Sequence, residues 1–277
     1  YDNNLTLGDY LAKEKLSKEF IDYHIIPMVA AIWSMPPYEA SQMPLSFFLK
    51  FFQNHGLFKL KNRPQWYTVK NRSRTYVNKI LNKISGEHYK NYKINLIKRH
   101  KENIEIFYGE KNEFFIYDKV VIATHADEAL SILEKPTDEE KNLLSNFKYK
   151  NNLAVIHTDK NQMPRNKKAW SAWNAKLSKN VRENSSITYW LNLLQNLKID
   201  EDIFLSLNPF DNIEEEKILN KVTFTHPYYD KLALENQTRL KKIQNVNNTL
   251  FCGSYFGYGF HEDGITSAID MLKSFHD

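Results

Sequence analysis

Apolar positions in the first part of the chain recur at helical spacing. LTLGDYLAKEKLSKEF sets Thr6 three residues before Asp9, the pattern of a capping box, and offers Ser17 as a second N-cap, so a helix pair is predicted to open the chain. The second helix, KEFIDYHIIPMVAAIWS, is almost wholly apolar after Asp22 and is predicted to be buried, with Pro27 kinking or breaking it. Its expected partner is PLSFFLKFFQNHG, where Leu45, Phe47, Phe48, Phe51 and Phe52 form one broad face closed by Gly56. From Pro64 the chain reads as an extended approach and a turn. A helix then carries Tyr76, Val77, Ile80, Leu81 and Ile84 at helical spacing.

The pattern then shortens to strands. YKINLIKRH, NIEIFYGE and NEFFIYDKVVIATH are separated by turn residues, and the stretch from Val120 to Ala123 has no polar residue, which predicts a strand covered on both faces. A helix from Thr124 to Leu133, with Asp127 at its start, is closed by Pro136, and Thr137 with Glu140 forms another capping box. LAVIHTD, ITYWLNLLQNL, IFLSLNP and KVTFTHP are predicted strands of a largely antiparallel sheet. The end, NNTLFCGSYFGYGFHEDGITSAIDMLKSFHD, reads strand, loop, helix.

Composition narrows the class. The 277 residues can bury a large core, and 14% aromatic residues exclude a disordered chain. The net charge of +5 is spread over lysines scattered among glutamates and asparagines, a solvated surface rather than a nucleic-acid site, although a diffuse positive field also attracts anionic lipid. The single cysteine, Cys252, excludes an internal disulfide and a cysteine-built metal site, predicts a reducing compartment, the cytoplasm, and follows an apolar strand that would bury it.

Few motifs carry chemistry. Gly253, Gly257, Gly259 and Gly264 lie where a strand runs into a helix, an arrangement that offers backbone N–H groups to an anion. Their spacing is neither the dinucleotide fingerprint nor the Walker pattern. His261, Glu262 and Asp263 are adjacent and cannot converge on one metal ion, so no metal is expected, and the acidic pair reads as helix capping. No G-x-S-x-G elbow is present, so a hydrolase is not supported. Trp170, Trp173 and Asn174 in AWSAWN would line an apolar substrate pocket if that segment is a strand or hairpin.

Together, LTLGDYL, PMVAAIWSMPP, FFQNHGL, RPQWYTVKNRSRTYV, VVIATHADEAL, AWSAWN, YWLNLLQNL, HPYYD and FCGSYFGYGFHEDGITSAI resemble the FAD-binding, amine-oxidase-like oxidoreductases, a family that includes the N-terminal oxidase portion of plant cyclopropane fatty acid synthases. The resemblance implies an α/β, two-domain FAD-linked fold with an α+β substrate domain. Residues 63–130 and 241–277 would form the FAD-binding domain, and residues 1–62 and 131–240 the substrate domain. It places Gly253, Ser254, His261, Glu262, Asp263, Gly264 and Ile265 around FAD, brings Ala123 and Thr124 past it, and sets the loop containing Ser73 beside the isoalloxazine.

Two features depart from the family. Asn71-Arg72 stands where the family has a glycine pair, and no G-x-G-x-x-G unit is present, so the chain reads as truncated at its N-terminus and is expected to hold FAD weakly or not at all. The implied activity is hydride abstraction from an apolar substrate, a lipid acyl chain or an amine, with His261 and then His157 as the proton-group candidates, although His157 in VIHTD reads by itself as a hydrogen-bonded structural histidine. The alternative is a non-catalytic flavoprotein-like domain that partners a lipid-modifying enzyme or lies at a membrane surface.

Overall fold

A computed structural model describes residues 5–110, 113–178 and 185–275. The chain opens with helices α1 (Leu7–Lys13), α2 (Lys18–Phe20), α3 (Ile26–Trp33), α4 (Pro37–Ala40), α5 (Leu45–Asn54) and α6 (Arg74–Leu81). Strands β1 (Ile94–Arg99), β2 (Ile104–Tyr108), β3 (Glu113–Tyr117) and β4 (Val120–Ile122) follow, then helices α7 (Ala126–Ile132) and α8 (Asp138–Leu144). Next come β5 (Lys148–His157), β6 (Trp173–Leu177), β7 (Ser185–Trp190), the short helix α9 (Leu191–Leu194), β8 (Phe204–Leu207) and β9 (Ile218–Tyr228). The order closes with α10 (Lys231–Gln237), β10 (Thr249–Phe251) and α11 (His261–Met271).

Local chemistry accounts for most boundaries. The Thr6 hydroxyl accepts from Asp9 N while Thr6 N donates to Asp9 Oδ2, the reciprocal cap read from the sequence. Pro27 does not break its helix: residues Ile21–Ile25 widen into a π-turn immediately before α3. That extra residue makes room for the proline ring and removes the need for its missing N–H. α3 ends on Ser34 in the left-handed region, φ 52°, and α5 runs into Gly56 at φ 64°. ITYWLNLLQNL is not one strand, because α9 begins at Leu191.

The chain forms two compact units, residues 1–83 with 150–228 and residues 84–149 with 229–277. The changeovers fall near residues 83, 149 and 228, whereas the resemblance implied divisions near 62, 130 and 240. In the first unit the five apolar residues of α5 are buried, with Trp33 at 4.7 Å from Phe51 and 5.6 Å from Phe47 between ring centroids. Each such side chain contributes about 1.5–3 kcal/mol on burial. This unit also holds a five-stranded sheet in the order β6-β7-β8-β5-β9.

The second unit has a three-stranded antiparallel sheet, β1-β2-β3, and a two-stranded parallel pair, β10-β4. Its core joins Ile97, Ile122, Leu143, Phe147, Phe251 and Tyr255. β4 is not covered on both faces as its sequence suggested. Val120 and Ile122 are buried but Val121, on the opposite face, is 40% exposed, so among the described residues that face is not covered.

Candidate functional site

The glycine-rich segment and the VVIATH strand meet in the second unit. Thr249, Leu250 and Phe251 lie parallel to Val120, Val121 and Ile122, and Cys252 N donates to Ile122 O at 3.1 Å. Both strands therefore end side by side, and Ala123-Thr124 and Gly253-Ser254 leave from the same edge. At the carboxyl ends of parallel strands, loops leading into helices are where α/β proteins bind ligands.

Each loop is tied down. Ala126 N donates to the Tyr149 hydroxyl at 2.9 Å, and His125 stacks on the Tyr149 ring at 4.2 Å. Burial pushes the Tyr149 hydroxyl far above the usual phenol range. On the other side, Gly253 N donates to Ser267 Oγ at 2.9 Å, and Ser267 Oγ donates to Gly264 O at 2.7 Å, fastening the loop to α11. Gln237 Nε2 donates to Tyr255 O at 3.0 Å and Gly257 O at 2.6 Å. Tyr149 and Gln237 were not legible as site residues, because their partners are distant in sequence. Ser267 lies in α11 and follows Gly264 at a one-turn spacing.

The glycines divide by role. A Cβ on Gly253 would fall 2.7 Å from the Tyr255 ring, and one on Gly257 would fall 2.6 Å from Asp263 Cγ, so both are required by the protein's own packing. At Gly264 a Cβ would meet nothing within 4 Å. Asp263 Oδ2 accepts from Phe260 N at 2.9 Å, so Asp263 of the acidic pair caps α11. The carboxylate also sets negative charge at a helix end that would otherwise attract a phosphate. The exposed surface around this edge comprises Ala123, Thr124, His261, Glu262 and Ile265, with Gly264 half-buried beside them.

The buried Tyr255 hydroxyl has no hydrogen-bond partner among the described residues. Cys252 is buried as predicted, and burial raises its thiol above the usual range. A cavity of about 330 Å³ runs along α11, with Gln237, Asp263, Thr266 and Asp270 in its lining. The residues fit a flat, largely uncharged ring presenting carbonyl acceptors to the first-turn N–H groups of α11 better than they fit a pyrophosphate.

The other predicted residues lie in the first unit. His157 is fully buried, accepting at Nδ1 from Asp159 N at 3.1 Å and paired at Nε2 with Ser206 Oγ at 2.8 Å, which in turn meets Thr188 Oγ1 at 2.7 Å. Burial lowers its pKa to about 4, so it is neutral at pH 7, and the proton sits on Nε2. It has no surface for a substrate to touch.

Asn174 is buried, bonded to Ser171 N and to the carbonyls of Ser171 and Thr188. Trp170 packs edge-on to Trp190 and Phe204 and donates to Pro164 O, while Trp173 at the start of β6 is 44% exposed. The cavity bordered by Trp170 and Asn174, about 890 Å³, also has Lys160, Arg165, Lys167, Lys176 and Asp211 in its wall, with Lys176 paired to Asp211, so it is charged rather than apolar. Ser73 lines a separate cavity of about 820 Å³ with Lys70, Arg72, Gln195 and Lys198. Asn71 and Arg72 there have φ 63° and 69°, the backbone that a glycine pair adopts without strain. Among the described residues no group of three His, Cys, Asp or Glu side chains is arranged to hold a metal ion.

No family model matches the chain, and no curated protein matches it in sequence. Solved structures match it in fold. A fatty acid isomerase from P. acnes, described as producing CLA, aligns over 100% of this chain and 67% of its own, with a TM-score of 0.67 and 14% identity. Cyclohexylamine oxidase from Brevibacterium oxydans IH-35A aligns over 99% of this chain and 69% of its own, with a TM-score of 0.61 and 12% identity. Putrescine oxidase bound to putrescine aligns over 98% and 68%, with a TM-score of 0.65 and 9% identity. The chain therefore has the α/β, FAD-linked amine-oxidase-like fold.

Proposed function

We propose that the chain serves an FAD-dependent oxidoreductase that abstracts a hydride from an apolar substrate, an acyl chain or an amine. The observation that carries this reading is the convergence of β4, β10 and α11 at one sheet end, within a fold aligned over the whole chain with FAD-dependent enzymes. Ala123, Thr124, Gly253, Ser254, Gly264 and Ile265 would border the cofactor. When bound, FAD accepts the hydride.

The chain's own residues then have three tasks. Gly264 leaves open space in which a flat ring would fit, and the first-turn N–H groups of α11 would be donors for a carbonyl acceptor there. Asp263 and Glu262 oppose a phosphate at the same helix end, so this chain alone holds FAD weakly. His261, exposed at the first position of α11, is the candidate proton group.

Substrate class remains open between the two chemistries in the names of the matched structures, a fatty acid isomerase and amine oxidases. The test is anaerobic: with FAD supplied in excess, a long-chain fatty acid or an alkylamine should bleach the flavin's visible band. His261→Gln should slow that bleaching by about a hundredfold, the scale of a general acid or base. No bleaching by either class while flavin is bound would overturn the reading.

A further inference from the structure

The glycine loop between β10 and α11 is filled by the chain itself. A Cβ on Gly257 would fall 2.6 Å from Asp263 Cγ, so the Asp263 carboxylate occupies the space that any side chain at that position would need. Its Oδ2 accepts from Phe260 N at 2.9 Å. Other donors of the loop are turned inward as well. Gly253 N donates to Ser267 Oγ at 2.9 Å, Phe256 N to Gly253 O at 3.2 Å, Gly257 N to Ser254 O at 3.1 Å and Gly259 N to Ser254 O at 3.2 Å. A loop that cradles a phosphate does so with unpaired N–H groups of neighbouring residues. This loop directs them to its own oxygens, and the anion seated in it is Asp263.

The loop that leaves β4 is arranged the same way. Ala126 N donates to the Tyr149 hydroxyl at 2.9 Å and Glu128 N to Asp127 Oδ1 at 2.9 Å. Asp127 and Glu128 therefore stand in the first turn of α7, as Glu262 and Asp263 stand in the first turn of α11. No counter-charge accompanies them in sequence: there is no lysine or arginine from Val120 to Glu134 or from Ile243 to Leu272. The Asp263 charge is felt by its neighbours, since burial first and that carboxylate second raise the Tyr258 hydroxyl above the usual phenol range.

We infer that this edge selects the uncharged part of a flavin and rejects its phosphate, with Asp263 as the specificity-determining residue. The inference rests on the flavin reading above and adds which part of the cofactor these residues recognise. A phosphate that meets paired N–H groups and carboxylates at both helix starts adds no affinity to the ring that carries it. Riboflavin, which has the ring and the ribityl chain without a phosphate, is therefore at least as good a ligand for this chain as FMN. Asp263→Asn separates charge from shape, because an asparagine oxygen still accepts from Phe260 N and fills the same space beside Gly257.

The experiment is fluorescence titration of the 277-residue chain with riboflavin and with FMN, at about 0.05 M salt so that charge is little screened. The unsubstituted chain should bind FMN no more tightly than riboflavin, a comparison that needs no variant to fold. Asp263→Asn should leave riboflavin binding as it is and tighten FMN about two- to fivefold, the strength of a charge at a helix end. Asp118→Asn removes the same charge before the amino end of β4, away from the edge, and should leave the ratio of the two affinities unchanged. A preference of the unsubstituted chain for FMN beyond about twofold, or an unaltered ratio in Asp263→Asn, would overturn the inference and leave the flavin reading standing. Failure of both ligands to bind saturably would overturn the two together.

Discussion

Arg72 and Asn71 both hold left-handed backbone, and only asparagine tolerates it readily. An arginine there costs about 1–2 kcal/mol, against which glycine loses roughly 0.5–1 kcal/mol of chain entropy. Arg72→Gly should therefore raise stability by about 0.5–1 kcal/mol, read as a higher urea midpoint with an unchanged slope. Asn71→Gly should change it less. His157 gives a pH signature. Its imidazole takes up a proton near pH 6.5 when unfolded and only at about 4 in the fold, so the unfolded state binds more protons between those values. Stability should fall as pH drops from about 6.5 towards about 4, with no further loss from this group below that. His157→Gln should flatten the slope of urea midpoint against pH over that window. Unchanged slopes in the variant would place the titration elsewhere. Residue roles were legible where partners are local, as in the Thr6-Asp9 and Thr137-Glu140 caps. The burial of His157 was not, because Ser206 lies 49 residues away in sequence.

At the scale of elements, the buried pair that joins β1 to α8 dominates. Arg99 donates to both oxygens of Glu140, at 2.5 and 2.9 Å, and to Lys135 O at 2.7 Å, with both charged side chains almost completely inaccessible. Glu140 Oε2 also accepts from Thr137 N at 2.7 Å, so one carboxylate caps a helix and neutralises a buried guanidinium. Glu140→Ala should cost about 3–5 kcal/mol, because it leaves Arg99 buried without its counter-charge. A loss below about 1 kcal/mol in chemical unfolding would show that Arg99 escapes to solvent. Periodicity found α5 and its buried face because five phenylalanine and leucine positions repeat on one side. It missed the π-turn at Ile21–Ile25, since nothing in residue type distinguishes a widened turn. It also ran β7 into α9, because tryptophan and leucine suit either element. β4 was read as doubly covered from the apolar run Val120 to Ala123, but coverage depends on what packs against each face, which no local pattern specifies.

For the whole molecule, the segments brought together by the fold were legible mainly through their order along the chain. The glycine loop by itself offered N–H groups to an anion without a recognised binding spacing, whereas the folded loop spends Gly253 on Tyr255 and Gly257 on Asp263, leaving open space at Gly264. Among the described residues no helix is long and apolar enough to cross a membrane. The central claim is that the edge formed by Ala123, Thr124, Gly253 and Gly264 faces a flavin. It is tested most directly by fluorescence titration of FAD with the 277-residue chain and with Gly264→Trp, a substitution that the open space beside α11 accommodates. Saturable binding at roughly micromolar strength or weaker, loosened about tenfold by Gly264→Trp, is the expected result. Absence of saturable binding, tight stoichiometric FAD retained through purification, or an affinity that Gly264→Trp leaves unchanged would contradict the account.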